Sequence, residues 1–160
     1  MKKSIIILFL ILAKTTHSQN TFIENKGQLP LNVICKAHLP SGELYVEEGK
    51  FTYVFYNQNQ IKESHNSISS RDYIDAYSYK AHFLNSNENT PFILDSASKY
   101  YKNYFIGKKD NWVNHVRTFK QYTQKEIYDG IDLVMFSTDN KLKYELHLQP
   151  NANIKDIEIE

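Results

Sequence analysis

The segment Lys141-Leu-Lys-Tyr-Glu-Leu-His-Leu148 alternates along its whole length between apolar or aromatic side chains and charged or polar ones. Successive side chains of a β-strand point to opposite faces, whereas a helix repeats about every 3.6 residues. The period of two therefore predicts a strand with one face in water and the other on a core. The residues expected on the core face are Leu142, Tyr144, Leu146 and Leu148.

The same kind of segment recurs toward the N-terminus. Further strands are predicted at residues 43–48, 51–56, 77–84, 116–122 and 131–136. Segment 51–56 is apolar or aromatic at nearly every position, which is typical of a strand covered on both faces. Many short strands separated by turn formers favour a sandwich or barrel. We therefore predict a mainly β fold, an antiparallel β-sandwich-like domain with at most one short helix.

Local residue types predict the turns, one loop and the short helix. Gly49-Lys50 is expected to form a tight hairpin turn, and Asp129-Gly130 a second turn. Residues 57–76 are polar and predict a long exposed loop. The short helix is predicted near Lys109–His115, with Asp110 as its N-cap.

The N-terminus has the layout of a secretory signal peptide over residues 1–18. Lys2-Lys3 supplies the positive charge, and Ile5–Ala13 is an apolar run shorter than the ~20 residues that span a bilayer. Thr16 and Ser18 are the small residues expected before a cleavage site. A buried N-terminal strand or helix is the alternative. The remaining sequence has no second long apolar stretch, so no transmembrane segment is expected after signal removal.

Residues 19–160 are long enough for a single β-rich extracellular domain with its own core. Cleavage would leave 16 basic residues (19 minus Lys2, Lys3 and Lys14) against 18 acidic ones, a balance that gives no reason to expect a nucleic-acid partner. Cys35 is the sole cysteine of the sequence, so no internal disulfide can form, and we expect this side chain to be buried. Stability must then come from packing of the 12 Tyr, nine Phe and one Trp.

A search for catalytic and metal-binding patterns yields no catalytic residue, no cofactor and no metal ligand. His38, His65, His82, His115 and His147 lack ligand spacing, and His82 and His147, on the polar faces of their strands, are expected to be solvated. The sequence has no nucleophile elbow and no glycine-rich phosphate loop. A hydrolase remains an alternative, since active sites are defined by geometry rather than by motif. Its best candidates are Asp132, Glu145, His82 and His147.

One group of aromatic residues has a functional interpretation. These side chains could form a stacking platform for a sugar, as in β-sandwich binding modules: Tyr100, Tyr101, Tyr104, Trp112, Tyr122 and Tyr128. The alternative is that they fill a core that no disulfide supports. The sequence leaves both interpretations open.

The last segment, Ile154–Glu160, again alternates, and the sequence stops inside that pattern. One interpretation is that the chain is a fragment of a longer protein. The other is a terminal edge strand whose acidic residues discourage further pairing.

Several phrases in fixed order resemble a known family. They are Phe22-Ile-Glu-Asn-Lys-Gly-Gln28, Gly49-Lys-Phe-Thr-Tyr-Val-Phe-Tyr56, Asn103-Tyr-Phe-Ile-Gly107 followed by Trp112, Ile127-Tyr-Asp-Gly-Ile-Asp-Leu-Val134, Leu142-Lys-Tyr-Glu-Leu146 and Pro150-Asn-Ala-Asn153. Together they look like the uncharacterised N-terminal domain of large secreted Bacteroidota proteins. The resemblance implies a secreted or cell-surface β domain without established activity or transferable catalytic residues. It also implies downstream modules as partners, often SBBP β-propeller repeats, PKD modules and a type IX secretion sorting domain.

The leading functional hypothesis is a non-catalytic N-terminal module of an exported protein, structural or adhesive and not an enzyme. The first alternative is a carbohydrate-binding module built on the aromatic group. The second is a secreted hydrolase or its accessory domain. Expected partners are downstream modules of the same protein, together with glycans or other surface proteins.

Overall fold

The structure, a computed structural model, describes residues 21–65, 73–138 and 141–160. The predicted signal peptide lies outside these residues. Within them the elements are β1 (Phe22–Glu24), β2 (Val33–Leu39), β3 (Gly42–Glu47), β4 (Lys50–Tyr56), α1 (Gln58–His65), β5 (Ala76–His82), β6 (Phe92–Tyr104), β7 (Val113–Tyr128), β8 (Ile131–Thr138) and β9 (Lys141–Leu148). Short 3-10 turns cover Lys109–Asn111 and Ile154–Asp156. No helix among the described residues is long and apolar enough to cross a membrane.

The strands form one antiparallel sheet in the order β5-β4-β3-β2-β1-β7-β8-β9, with β6 on the other edge of β7. Strand β7 is therefore a branch point. It pairs with β1 at Thr118 and Phe119, and then with β8 from Gln121 to Tyr128. The sheet curls into a half-barrel that is roughly sandwich-like. The predicted fold class, mainly antiparallel β with a single helix, is confirmed.

The core lies where the two branches of the sheet face each other. One cluster joins buried residues from the β1–β5 branch, such as Phe22, Leu44 and Phe51, to Leu133 and Met135 of β8. Burial of such apolar surface contributes about 25 cal/mol per Å² and is the main stabilising term of the fold. Cys35 belongs to the same cluster with no exposed surface, as predicted, and burial raises the pKa of its thiol.

Of the short helix predicted near Lys109–His115, only Lys109–Asn111 is helical, as a 3-10 turn, and the remainder of the prediction is wrong. Val113 already pairs with Tyr104, so the β6–β7 ladder leaves room only for the 3-10 turn at Lys109–Asn111. Asp110 lies inside this turn and does not cap it; the preceding residue, Lys108, makes no side-chain cap bond.

The exposed loop predicted at residues 57–76 is wrong over its first part, which forms α1. The Asn57 side chain accepts hydrogen bonds from the backbone N–H groups of Asn59 and Gln60, at 3.2 and 3.4 Å, and so caps the helix. Gln60 also exchanges two 2.7 Å bonds with Asp75 just before β5. Residues 66–72 lie outside the described residues.

The alternating strand 141–148 is confirmed, but its core face is only partly covered. Leu142 and Leu146 pack against the core, whereas Tyr144 and Leu148 are nearly half exposed. The reason is position, because β9 is an edge strand with a neighbour on one side only. The Tyr144 ring still contacts Phe51, with centroids 6.1 Å apart.

The C-terminal residues run back to the other edge of the sheet. Ile154–Asp156 is a 3-10 turn rather than the predicted strand, and the Asn153 side chain accepts the N–H of Lys155 at its start. Residues 157–160 then extend beside the end of β5, where Ile159 bridges to Phe83.

Candidate ligand-binding groove

The structure divides the six aromatic residues of the predicted platform into buried and exposed members. Tyr122 and Tyr128 are buried in the core and Tyr104 is half-buried. Tyr100, Tyr101 and Trp112 have 82%, 54% and 45% of their surface exposed. Only these three therefore offer a broad ring face to a ligand.

The two buried tyrosines contact the core and satisfy their hydroxyl groups internally. The Tyr122 ring lies 6.3 Å from that of Phe22, and its hydroxyl donates to Gln124 Oε1 at 3.2 Å. The Tyr128 hydroxyl lies 3.0 Å from the Leu84 carbonyl oxygen and 3.1 Å from that of Glu158. Burial raises the pKa of both tyrosines, more strongly for Tyr122. Their roles are those of core residues.

Trp112 lies at the end of the β6–β7 hairpin. Its ring packs against Phe105, with centroids 5.1 Å apart. Tyr104 is the last residue of β6, and burial together with the charge of Glu43 raises its pKa. Neither residue is among those that line the groove described next.

A groove of about 470 Å³ runs across β1, β6 and β7. We call it the Tyr100–Arg117 groove, and it is lined by Glu24, Lys26, Ser98, Lys99, Tyr100, Tyr101, His115 and Arg117. Two of the predicted platform residues, Tyr100 and Tyr101, are thus brought together. The other six lining residues carry charged, hydroxyl or imidazole groups suited to a polar ligand.

A bulge in β6 places Tyr100 in the groove. The β6–β7 register shifts between Ala97 and Tyr101, and the Ser98 hydroxyl oxygen accepts the N–H of Tyr100 at 3.1 Å. A bulge bends its strand and re-aims side chains. Tyr100 consequently projects further into solvent than any other tyrosine of the described chain.

A second bulge, in β7, orients His115. Its φ of 53° is rare for a residue with a side chain, and its N–H donates to Asn103 Oδ1 at 3.0 Å. The imidazole then stacks on the Tyr101 ring, with centroids 4.5 Å apart and planes 25° from parallel. A backbone strained in this way persists only where the surrounding structure holds it. Such residues are concentrated at functional sites.

The charges around the groove are mainly positive, with Lys26, Lys99 and Arg117 against one acid, Glu24. Glu24 Oε1 accepts the backbone N–H of Arg117 at 2.7 Å and lies 3.8 Å from its Nε. Lys26 Nζ donates to the carbonyl oxygens of Asn114 and His115. The rings of Tyr100 and Tyr101 can stack on the apolar face of a ligand ring. Arg117 and Lys99 can bind a carboxylate or sulfate group of the same ligand.

The loop that carries Lys26 is organised by Asn25. Its side-chain Nδ2 donates to the carbonyl oxygens of Pro30 and Val33, at 2.9 and 2.7 Å. Its Oδ1 accepts the N–H groups of Gly27 and Leu29. Asn25 lies within the phrase Phe22–Gln28, so that phrase contains a structural signal that sequence reasoning did not interpret.

Sequence reasoning missed the groove's polar residues. Glu24, His115 and Arg117 come from two strands that pair across a long sequence separation. No local motif joins them, and only the phrase around Asn25 and the neighbouring pair Tyr100-Tyr101 gave any signal.

The residues considered for a hydrolase are partly brought together, on β8 and β9. Asp132 is the cross-strand partner of His147, and His147 Nε2 lies 2.9 Å from Glu145 Oε2. His82 is on β5, at the opposite edge of the sheet. Glu145 and His147 are each more than half exposed.

Asp132 is engaged in a structural role. Its Oδ1 accepts the N–H of Glu126 at 2.9 Å, and its Oδ2 accepts a hydrogen bond from Lys125 Nζ at 2.6 Å. Burial alone would raise the pKa of Asp132, but these hydrogen bonds and the Lys125 charge outweigh it and lower the pKa. Within the described residues, no three His, Cys, Asp or Glu side chains are grouped to hold a metal ion.

Comparison with known proteins identifies a family without a known role. The model of a domain of unknown function, DUF7948, matches residues 22–160. No curated protein and no solved structure matches the chain.

Proposed function

The chain belongs to the DUF7948 family, and we propose that it is a non-catalytic N-terminal module of an exported protein, adhesive or structural in role. The signal-peptide pattern of residues 1–18 supports export to the cell surface or beyond. The resemblance to N-terminal domains of large secreted Bacteroidota proteins supports an origin in that group. It also supports downstream modules, such as β-propeller repeats or PKD modules, as partners in the same polypeptide.

The Tyr100–Arg117 groove is the observation that carries this proposal. It is concave, it lies on paired strands, and it presents aromatic and cationic groups to solvent. Its one lining carboxylate, Glu24, is held by Arg117. Acid–base hydrolysis of glycosides ordinarily needs two carboxylates that flank the bond, so this arrangement favours binding over turnover.

The proposal is tested by assaying the purified protein for binding and for turnover in parallel. We expect adhesion to a surface polymer, with no turnover across a panel of glycosidase, esterase and peptidase substrates. Adhesion should fall at least about tenfold when both Tyr100 and Arg117 are substituted, which corresponds to about 1.4 kcal/mol. Reproducible turnover that a single substitution abolishes would instead establish an enzyme.

Carbohydrate binding is the second candidate, and the stacked pair Tyr101–His115 beside Arg117 favours it. A sugar ring packs its C–H face on an aromatic ring, and an acidic sugar adds a carboxylate or sulfate for the guanidinium. We therefore propose acidic rather than neutral glycans as the ligand class.

A glycan array that contains matched neutral, uronic-acid and sulfated oligosaccharides tests this preference. Binding should weaken with added salt, because exposed charges are screened. Arg117→Gln should remove most of the preference for acidic glycans, whereas Lys143→Gln on the exposed face of β9 should not. Equal binding of neutral and acidic glycans, or none to either, would contradict the proposal.

A further inference from the structure

Among the described residues, no strand pairs with the outer edge of β5 from Ala76 to Lys80. Strand β5 is the first strand of the sheet, and its seven residues all pair with β4 on the inner side. Residues 76–80 are exposed. A strand in this position presents unpaired backbone groups to which another strand can add.

The hydrogen bonds at the end of β5 show which backbone groups face outward. The N–H of His82 donates to the Glu160 carbonyl oxygen at 2.9 Å, and the N–H of Glu160 donates back at 3.0 Å. The next residue, Phe83, donates inward to Gly49. Because these directions alternate along a strand, the backbone groups of Lys80, Ser78 and Ala76 also point outward.

The chain's own C-terminal residues already use this edge. Residues 158–160 pair antiparallel with His82–Leu84, and Ile159 lies opposite the buried Phe83. The edge from Ala76 to Lys80 continues the same ladder in the same register. An added strand would therefore extend an existing pairing rather than begin a new one.

The two faces of β5 specify what such a strand must carry. On one face, Tyr77 and Tyr79 are 67% and 44% exposed, and Tyr79 stacks on Tyr53 with ring centroids 4.7 Å apart. Side chains opposite them should be apolar or aromatic, since cross-strand aromatic pairs are stabilising. On the other face lie the exposed Lys80 and the half-buried His82, which favour acidic partners.

We propose that the outer edge of β5, from Ala76 to Lys80, docks an extended segment of another polypeptide. This segment runs antiparallel to β5 and alternates apolar or aromatic residues with acidic ones. The chain's own Ile157-Glu-Ile-Glu160 has the same alternation, which supports the assignment. Strand addition of this kind takes its affinity from main-chain hydrogen bonds and its specificity from alternate side chains. The site is separate from the Tyr100–Arg117 groove, so it does not depend on the function proposed there.

The test uses the whole protein and a labelled seven-residue peptide that alternates tyrosine or isoleucine with glutamate. Binding is measured by fluorescence anisotropy. Ser78→Pro removes an outward N–H while leaving the inward bonds to β4, so binding should weaken about tenfold for the lost hydrogen bond. Ser78→Ala keeps that N–H and is the matched control, with binding expected to stay within about twofold of the wild type.

A second arm keeps the protein unchanged. N-methylation of the peptide groups that face β5 should abolish binding, whereas N-methylation on the opposite edge should not. The proposal is overturned if the peptide does not bind the wild-type protein, or if a scrambled peptide without alternation binds equally well. It is also overturned if sedimentation shows a dimer that Ser78→Pro dissociates, because a second copy would then occupy the edge.

Discussion

The two ends of β7 use the same structural device for different purposes. Each contains a bulge around a residue with positive φ, His115 at 53° and Glu126 at 47°. At Glu126 the bulge is held by the largely buried carboxylate of Asp132. At His115 it is held by the side chain of Asn103, and the imidazole lines an open groove.

The difference shows how one long strand can serve both the core and a surface site. Toward the C-terminal end, Tyr122, Ile127 and Tyr128 are buried between the branches of the sheet. Toward the N-terminal end, His115 and Arg117 are exposed beside Tyr101 of the neighbouring strand. Residue type does not distinguish the two ends, since both contain aromatic groups. The face to which each side chain points decides its exposure, since Val116 and Thr118 alternate with His115 and Arg117 and are buried.

The largest effect should come from Tyr122→Ala at the core end. Removing a fully buried aromatic side chain costs about 3–5 kcal/mol of unfolding free energy. Urea denaturation measures this loss. The matched variant at the exposed end, Tyr100→Ala, should change stability by less than about 0.5 kcal/mol. Similar losses for the two variants would show that the division between core and groove is wrong.

Asp132→Asn should destabilise the core-end bulge by about 1–2 kcal/mol at neutral pH, because the ion pair with the half-exposed Lys125 is lost. The pKa of Asp132 is lowered in the fold, so its contribution is full above the ordinary pKa of 3.8 and is lost as pH falls through the folded value. The difference in unfolding free energy between wild type and variant should therefore disappear in strong acid.

Urea titrations over a pH series measure that difference. Asp110→Asn, on the exposed 3-10 turn, is the control and should track the wild type. A difference that persists unchanged below pH 3.8 would contradict the assigned role of the Asp132 charge.

Tyr128→Phe should cost about 1 kcal/mol, because the hydroxyl contact with the Leu84 and Glu158 carbonyl oxygens is lost. The variant keeps the ring and so isolates the hydrogen bond. Hydrogen exchange should accelerate at the amides of Leu84 and Glu160, which donate to the carbonyl oxygens of Glu158 and His82 at the same junction. Unchanged exchange at both amides would show that the hydroxyl does not hold the C-terminal segment.

The smallest stability effect should come from glycine at the two bulges. Glycine accepts positive φ without strain but loses more entropy on folding, so His115→Gly and Glu126→Gly should each change stability by less than about 1 kcal/mol. Only His115→Gly should weaken binding of an acidic glycan, measured on the array described above. Equal weakening by Glu126→Gly would remove the functional distinction between the bulges.

The sequence predicted those features that depend on local pattern. The alternation of residues 141–148, the turn at Asp129-Gly130 and the burial of Cys35 follow from side-chain periodicity and residue type, and all three are observed. The first turn of α1 was missed because one side chain, Asn57, decides it. The short helix predicted near Lys109–His115 is limited to a 3-10 turn by the β6–β7 ladder, a non-local pairing that the local sequence does not reveal.

The groove could not be predicted, because non-local pairing builds it. Tyr100 and Tyr122 lie on neighbouring strands and look alike in sequence, yet one is exposed and the other buried. Tyr100 lies in a bulge of β6, whereas Tyr122 lies in a regular part of the ladder, and the bulge can be located only when the register of both strands is known. His115 and Arg117 can likewise be recognised as groove residues only when the pairing that brings Arg117 to Glu24 is known.

The branch point at β7 also constrains the order in which the chain can assemble. Strand β1 is made early, but its second neighbour is β7, since Phe22 pairs with Phe119 far along the chain. The meander from β1 to β5 can form from local hairpins, yet it cannot join the rest of the sheet until β7 has been synthesised. Such distant pairings slow folding and leave strand edges open in the meantime. We therefore expect the closing of the β1–β7 seam to be the rate-limiting step, and variants of that seam to change the folding rate most.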